Sequence, residues 1–292
     1  MNKVIKAFPV CSDLEAKNFA GEFLDHSHYD TLVDQDADVV RPDGSYLIRF
    51  RKKVIPDDNY TRCLNALRKA SRWSGNRGTA YGDNKRLPNG KTKEDVRSGI
   101  VGSFDRAGGR TPWCRLTRFN LEHPELFDSI RPLTKSVDDQ FRILMPDRYE
   151  VQKDLARQTD KTWKIDDTAF TTITINKNWR TACHTDKGDL KEGFGMMCAY
   201  SSGNYDGGFT VLPQYRVAFD LRKGDVVASD VHEWHGNTEF KRHRGTGPME
   251  RISCVFYYRR RMFKCGTIEH ELERTKNRYD NFVYGEIYDD EN

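Results

Sequence analysis

The stretch NKNWRTACHTDKGD, residues 176–189, decides how this chain is read. It continues AFTTITIN (169–176), whose alternating β-branched and aromatic residues predict a strand. His184 and Asp186 stand two apart, so on an extended backbone both side chains leave the same face. About fifty residues on, GDVVASDVHEWHGN (224–237) supplies His232 and His235 after another strand-like run. RISCVFYYRR (251–260) then places Arg251 sixteen residues beyond His235, with Ser253 on the same strand face.

HxD followed by a distant histidine makes a two-histidine, one-carboxylate set. Such a set holds Fe(II) on one side and leaves the opposite positions open to further ligands. Zinc centres of the structural kind favour thiolates, and the seven cysteines (11, 63, 114, 183, 198, 254, 265) contain no CxxC pair or zinc-type cluster. No zinc site is expected. The odd cysteine count and irregular spacing predict reduced, mostly buried thiols. Arg251 suits a carboxylate guest, because its planar guanidinium makes paired hydrogen bonds to both oxygens. A surface arginine at a basic strand end, before Arg259, Arg260 and Arg261, is the plainer reading of the same residue.

Outward from this segment, the C-terminal half is a succession of short runs, GFGMMCAYS, GGFTVLP, YRVAFDL, GDVVASD and RISCVFYYR, divided by Gly, Asn and Asp. Residues 120–158 are helical in pattern. Pro124 and Pro146 suit the first turn of a helix, and Leu133, Val137, Phe141 and Leu144 repeat as one buried face. Further back, TRCLNALRKASRW (61–73) predicts a helix, SYLIRFRKKVI (45–55) a strand, and SDLEAKNFAGEFL (12–24) an amphipathic helix capped by Ser12 or Asp13, with Leu14, Phe19 and Phe23 on its apolar side. Helices first and strands later predict an α+β chain: a strand sandwich buttressed on one face by helices.

The chain has 292 residues, of which 48 are basic and 44 acidic, so the net charge is only +4. That sum hides opposites. Cys11 to Val40 carries eight acidic residues and one basic, whereas 68–110 carries eleven basic, four acidic and eight of the 22 glycines. The latter predicts a long basic loop, either simply solvated or facing nucleic acid through Trp73, Tyr81 and Phe104. No run approaches the ~18 apolar residues of a membrane span, and 34 aromatic residues argue against disorder. The N-terminus meets an acidic residue before any useful apolar run, so no signal peptide is expected and the location predicted is intracellular.

The order HxD…HGN…RxSxVxYYR resembles the iron(II)/2-oxoglutarate dioxygenases, and within them the TET/J-binding-protein family of nucleic-acid pyrimidine hydroxylases. TPWCRLTRFNLEHPELF (111–127) is similar to the segment preceding the barrel in phage and protist members. The resemblance covers roughly 110–262 and implies a double-stranded β-helix (jelly-roll, cupin-like) core. It implies oxidation of the 5-methyl group of thymine or 5-methylcytosine in DNA, using O2 and converting 2-oxoglutarate to succinate. It further implies His184, Asp186 and His235 as iron ligands, His235 in preference to His232 because of the HGN form, and Arg251 with Ser253 as the 2-oxoglutarate clamp. Asn176 and Asn178 stand where related oxygenases place cosubstrate contacts, or else form a polar turn. Arg115 and Arg118 are open between an anion contact and a structural ion pair. Trp179, Tyr205, Tyr215 and Trp234 are candidates for stacking on a flipped base, or for core and rim.

Animal members carry a cysteine-rich zinc-binding region for which this sequence has no counterpart. The expectation is therefore one compact dioxygenase domain over 1–292, of the phage or bacterial kind and working in the cytoplasm of a bacterium or infected host. Within it, 1–110 would be an N-terminal elaboration and 111–265 the catalytic core. A 2-oxoglutarate-dependent hydroxylase of a small molecule or protein side chain, and a non-catalytic β-sandwich binding module, are the alternatives. Oligomeric state is not legible.

Overall fold

The computed structural model describes residues 3–72, 98–105, 112–245 and 247–284, with side chains to 277. Among the described residues fifteen strands form: β1 Lys3–Lys6, β2 Thr31–Val33, β3 Ala37–Val40, β4 Tyr46–Arg51, β5 Ser98–Asp105, β6 Cys114–Leu116, β7 Thr172–Lys177, β8 Gly195–Ser202, β9 Tyr205–Gly207, β10 Thr210–Leu212, β11 Val217–Phe219, β12 Val226–Ser229, β13 Gly236–Asn237, β14 Phe240–Arg242 and β15 Glu250–Tyr257. The α-helices among the described residues are α1 Asp13–Ala16, α2 Asp57–Ala70, α3 Arg118–Glu122, α4 Pro124–Leu144, α5 Pro146–Gln158 and α6 Ile268–Tyr284. No helix among the described residues is long and apolar enough to cross a membrane.

A nine-stranded sheet runs β1-β3-β4-β12-β8-β15-β7-β5-β6, faced by a four-stranded sheet β13-β10-β11-β2. The six strand runs read from the C-terminal half are β7, β8, β10, β11, β12 and β15. On the outer face of the large sheet, Ile173, Ile175, Met196, Cys198, Ile252, Cys254 and Phe256 pack against α2 and α4, including the expected Leu133, Val137, Phe141 and Leu144. Between the sheets, Val39, Ile48, Phe50, Met197 and Val227 meet Leu212, Val217 and Phe219. This filling stops short of the β15-β7-β5 end, where the sandwich opens into a cavity.

Three expectations need correcting. The basic excursion at 68–110 is narrower than its composition suggests. Arg68–Ala70 belong to α2, and Ser98–Asp105 is an eight-residue strand paired with β7. Gly99 and Gly102 interrupt its alternation and hide it from a periodicity argument. The remainder, 73–97 and 106–110 with Trp73 and Tyr81, lies outside the described residues. Second, SDLEAKNFAGEFL forms only the single turn of α1, capped reciprocally by Ser12 and Glu15, followed by a 3-10 turn at 17–19. Leu14 is largely exposed and Phe23 partly so. Ala16, Phe19 and Leu24 are the residues of the segment that pack inward, too few and too irregularly spaced to hold a longer helix. Third, Cys114 and Cys265 form a disulfide across 151 residues of sequence; the free thiols are Cys11, Cys63, Cys183, Cys198 and Cys254. Their spacing could not announce that pairing, because β6 and the segment before α6 meet only through the fold.

Candidate active site

The site begins with the segment just beyond β7. His184 and His235 form an isolated antiparallel bridge, each backbone N–H donating to the other's carbonyl at 2.9 Å. The Asp186 N–H donates to the Val231 carbonyl at 3.0 Å, so the HxD segment is laced to the 231–235 loop. Gly236 permits that approach: a Cβ there would stand 3.0 Å from the Cys183 backbone.

The bridge brings the two imidazole centroids to 4.5 Å. His184 Nε2 lies 3.4 Å from one Asp186 carboxylate oxygen, and His235 Nε2 3.7 Å from the other. Each Nδ1 instead sits 2.9 Å from a carbonyl, that of Ala182 for His184 and that of Glu233 for His235. Nδ1–H donation to those carbonyls sets the tautomer that leaves both Nε2 lone pairs facing the carboxylate. Burial, then the neighbouring His184, push the His235 pKa down and favour the neutral imidazole that a metal requires. One ligand atom from each of these three residues lies within 4.8 Å of the others. The donor set and its spacing fit Fe(II).

The 231–235 loop is braced from the N-terminal part of the chain, which sequence spacing did not reveal. Arg41, just after β3, donates at 2.7 Å to both Asp230 and Glu233 and at 3.2 Å to the Tyr215 hydroxyl. That hydroxyl donates in turn to Glu233 at 3.1 Å. Asp230 loses from burial but gains more from hydrogen bonds with His232 and Arg41, and its pKa falls to about 2. His232, held 3.4 Å from Asp230, stays outside the metal cluster.

The cavity, about 890 Å³, lies between the open end of the large sheet and the small one. Strand alternation supplies its wall: Thr174 and Asn176 from β7, Arg251, Ser253, Val255 and Tyr257 from β15, with Thr210 and Asn237 opposite. Arg251 is 4% exposed, its guanidinium 5.6 Å from the Phe240 ring. No acidic residue among those described forms a salt bridge with it. Burial pushes its pKa down, yet a guanidinium remains a cation at neutral pH. A buried, unpaired cation carries a desolvation penalty that an anionic guest offsets.

Ser253 and Asn176 line the same cavity, and neither side chain is hydrogen-bonded to the described residues. Asn178 does not line it. Its backbone is left-handed, and its side-chain oxygen accepts from the Arg251 N–H at 2.7 Å, tying the end of β7 to β15. Of the four stacking candidates only Trp234 lines the cavity. Tyr205 stacks beneath Arg222, Tyr215 belongs to the Arg41 brace, and Trp179 is buried. Arg118 pairs with Glu122 on α3, and Arg115 lies over Phe104. Thr174, Tyr257 and Thr210 were missed, although alternation along their strands points the first two inward.

Such a donor set, at the open end of a strand sandwich, defines the class of non-haem iron oxygenases. Residues 99–260, more than half the chain, match Tet_JBP, the oxygenase domain of the 2OGFeDO superfamily, and the chain belongs to this family. It is similar to thymine dioxygenase JBP1 of Trypanosoma brucei brucei, 35% identical over 61% of this chain and 21% of that protein. It is also similar to the bifunctional helicase and thymine dioxygenase JBP2 of the same organism, 34% identical over 66% of this chain and 17% of that protein. The chain thus spans about a fifth of the length of these relatives. Among solved structures, NgTET1 in complex with 5mC DNA superposes with a TM-score of 0.59, covering 90% of this chain and 96% of that one at 12% identity. The double-stranded β-helix expected from the sequence is the fold.

Proposed function

We propose that this protein hydroxylates the 5-methyl group of a pyrimidine base in DNA, using Fe(II), 2-oxoglutarate and O2 and giving the 5-hydroxymethyl base, succinate and carbon dioxide. The observation that carries this reading is the pairing of the His184–Asp186–His235 cluster with the buried Arg251, which has no salt-bridge partner among the described residues, in one cavity. Membership of the family and the names of the curated relatives favour thymine as the first base to test, with 5-methylcytosine second.

His184, Asp186 and His235 would hold the metal. Iron(II) bound there supplies the redox chemistry that couples oxidation of 2-oxoglutarate to insertion of one oxygen atom into a methyl C–H bond. Arg251 takes the far carboxylate of the keto diacid through paired N–H donors, and Ser253 adds a hydroxyl donor from the same strand face. Asn176, on the neighbouring strand, offers an amide to the same guest. A base in duplex DNA leaves the stack to reach the cavity, at a cost of a few kcal/mol, offset by stacking and edge hydrogen bonds. Trp234, which lines the cavity together with Tyr257 and Phe104, is the stacking candidate for that base. Arg41 acts through the loop, holding the carbonyl that orients His235.

The test is nucleoside mass spectrometry after incubating the full chain with thymine-containing and 5-methylcytosine-containing DNA. A hydroxymethyl product that requires Fe(II) and 2-oxoglutarate and vanishes in Asp186→Ala supports the reading. Abundant succinate with no altered nucleoside from either DNA would move the substrate to a small molecule or a protein side chain. No succinate under any condition would leave a binding module.

A further inference from the structure

The mouth of the cavity carries a cluster of cations that the chemistry of iron and 2-oxoglutarate does not use. Residues 187–189 lie alongside 259–261. Asp189 and Arg259 form a backbone bridge, and the Arg260 N–H donates to the Gly188 carbonyl at 3.1 Å. The resulting lip brings Lys187, Arg259, Arg260 and Arg261 to the cavity. One of its two strands leaves directly from the metal-ligating segment, and the other from the strand that holds Arg251.

The lip is built, not merely basic. Asp105, almost wholly buried, pairs with the Arg259 guanidinium and accepts from the Arg261 N–H at 3.1 Å. Arg259 crosses Gly188 so closely that a Cβ there would lie 2.6 Å from its Nη1. Its guanidinium carbon is 4.5 Å from the Phe104 ring centroid, with Arg115 on the same ring at 5.3 Å. Arg261 and Arg274 share the Trp113 ring, each at 5.1 Å. A guanidinium covered on its face by an aromatic ring keeps its N–H edges for a planar, bidentate anion. Lys187, Arg260 and Arg261 have no ion-pair partner among the described residues, and Lys187 and Arg260 are exposed.

We infer that this lip is a docking surface for the sugar-phosphate backbone of a nucleic-acid strand, holding the phosphates that flank the base entering the cavity. The inference rests on the proposed function for the identity of the guest and adds where its backbone lies. A phosphodiester chain fits better than an acidic polypeptide. It presents regularly spaced anions beside each base, and the lip presents several cations along one edge of the cavity that would take one base. The deep carboxylate site is separate, because Arg251 is buried inside.

The experiment is fluorescence anisotropy of the full chain with a labelled DNA, single-stranded and duplex, titrated between about 50 and 200 mM salt. Lys187→Ala/Arg260→Ala removes two exposed charges. Lys135→Ala/Arg142→Ala removes two from the outer surface of α4, where both are exposed. The lip variant is expected to bind about tenfold or more weakly at physiological salt, with the slope of log affinity against log salt reduced by roughly 1.5 to 2. Its unfolding midpoint is expected to match that of the wild type. The α4 variant is expected to keep the wild-type slope.

Equal losses in both variants, or none in either, overturn the inference. So does lip-dependent binding of polyglutamate with no binding of DNA. Failure of the lip is distinguishable from failure of the proposed activity. Methyl oxidation that persists with a wild-type salt slope in the lip variant sinks only the lip. Lip-dependent DNA binding without any oxidised nucleoside sinks only the activity.

Discussion

The two faces of the nine-stranded sheet are made by the same strands and do opposite things. In β15 the residues Ile252, Cys254 and Phe256 turn toward the helices and are fully buried. Arg251, Ser253, Val255 and Tyr257, alternating with them, turn into the cavity. β7 repeats the division, with Ile173 and Ile175 outward and Thr174 and Asn176 inward. The apolar face anchors each strand against α2 and α4, and this tolerates polar and charged groups on the other face that do not stabilise the fold. Stability and chemistry are thus written on alternate residues, and substitutions on either face should separate them.

The largest expected effect comes from the helix-facing side. Phe256→Ala should lower unfolding free energy by about 3–5 kcal/mol in denaturant titrations, while the molecules that remain folded bind 2-oxoglutarate within a few-fold of the wild type. A large loss of that affinity would mean the faces are coupled. On the cavity side, Arg251→Met should weaken 2-oxoglutarate binding by roughly 2–5 kcal/mol, about 30-fold or more, in calorimetric titration. The ligand-free protein should be as stable as the wild type or more so, because a buried charge without an ion-pair partner has been replaced by an apolar chain of similar reach. Destabilisation instead would show that Arg251 is structural.

Arg41→Ala tests the brace behind the metal loop. Its expected effect is a ~10–100-fold loss of Fe(II) affinity in an anaerobic titration, the usual scale for removing groups that orient metal ligands. Arg41→Lys should restore only part, since one ammonium cannot reproduce the fork to Asp230, Glu233 and Tyr215. The smallest effect is the acid limb of stability. The Asp230 carboxyl is held at about 2 in the folded state against an ordinary value of 3.8, so its contribution is complete above about pH 4. It is lost as pH falls through about 2. Discounted for its partial exposure, that is roughly 1–2 kcal/mol. Arg41→Ala should shrink this limb, but not abolish it, in a series of unfolding curves against pH, because the His232 hydrogen bond to Asp230 remains.

How much of this could be read beforehand follows from where the signals lie. His184 and Asp186 share one short segment, and His235, Arg251 and Ser253 sit in or after recognisable strands, so the candidate set that the fold brings together was legible from type and spacing. Asn178 was open between a cosubstrate contact and a polar turn, because a residue next to a strand end looks like a strand residue until its left-handed backbone, which favours the turn, is seen. β5 escaped because two glycines broke its alternation inside a basic stretch. Arg41 escaped for a different reason. It acts on residues 189 and 192 positions away, and no local pattern encodes such a contact.

From the sequence alone came the α+β order, the alternation that divides each strand into two faces, and the donor types for iron and a dicarboxylate. These are local properties, carried by periodicity and side-chain chemistry. Only the tertiary structure decided that His235 meets His184 through a backbone bridge, which cysteines pair, and that the N-terminal Arg41 braces the 231–235 loop. It alone gathered Lys187 with Arg259–Arg261 into one lip. Such contacts join segments far apart in the chain. Their geometry exists only once the sheets have packed.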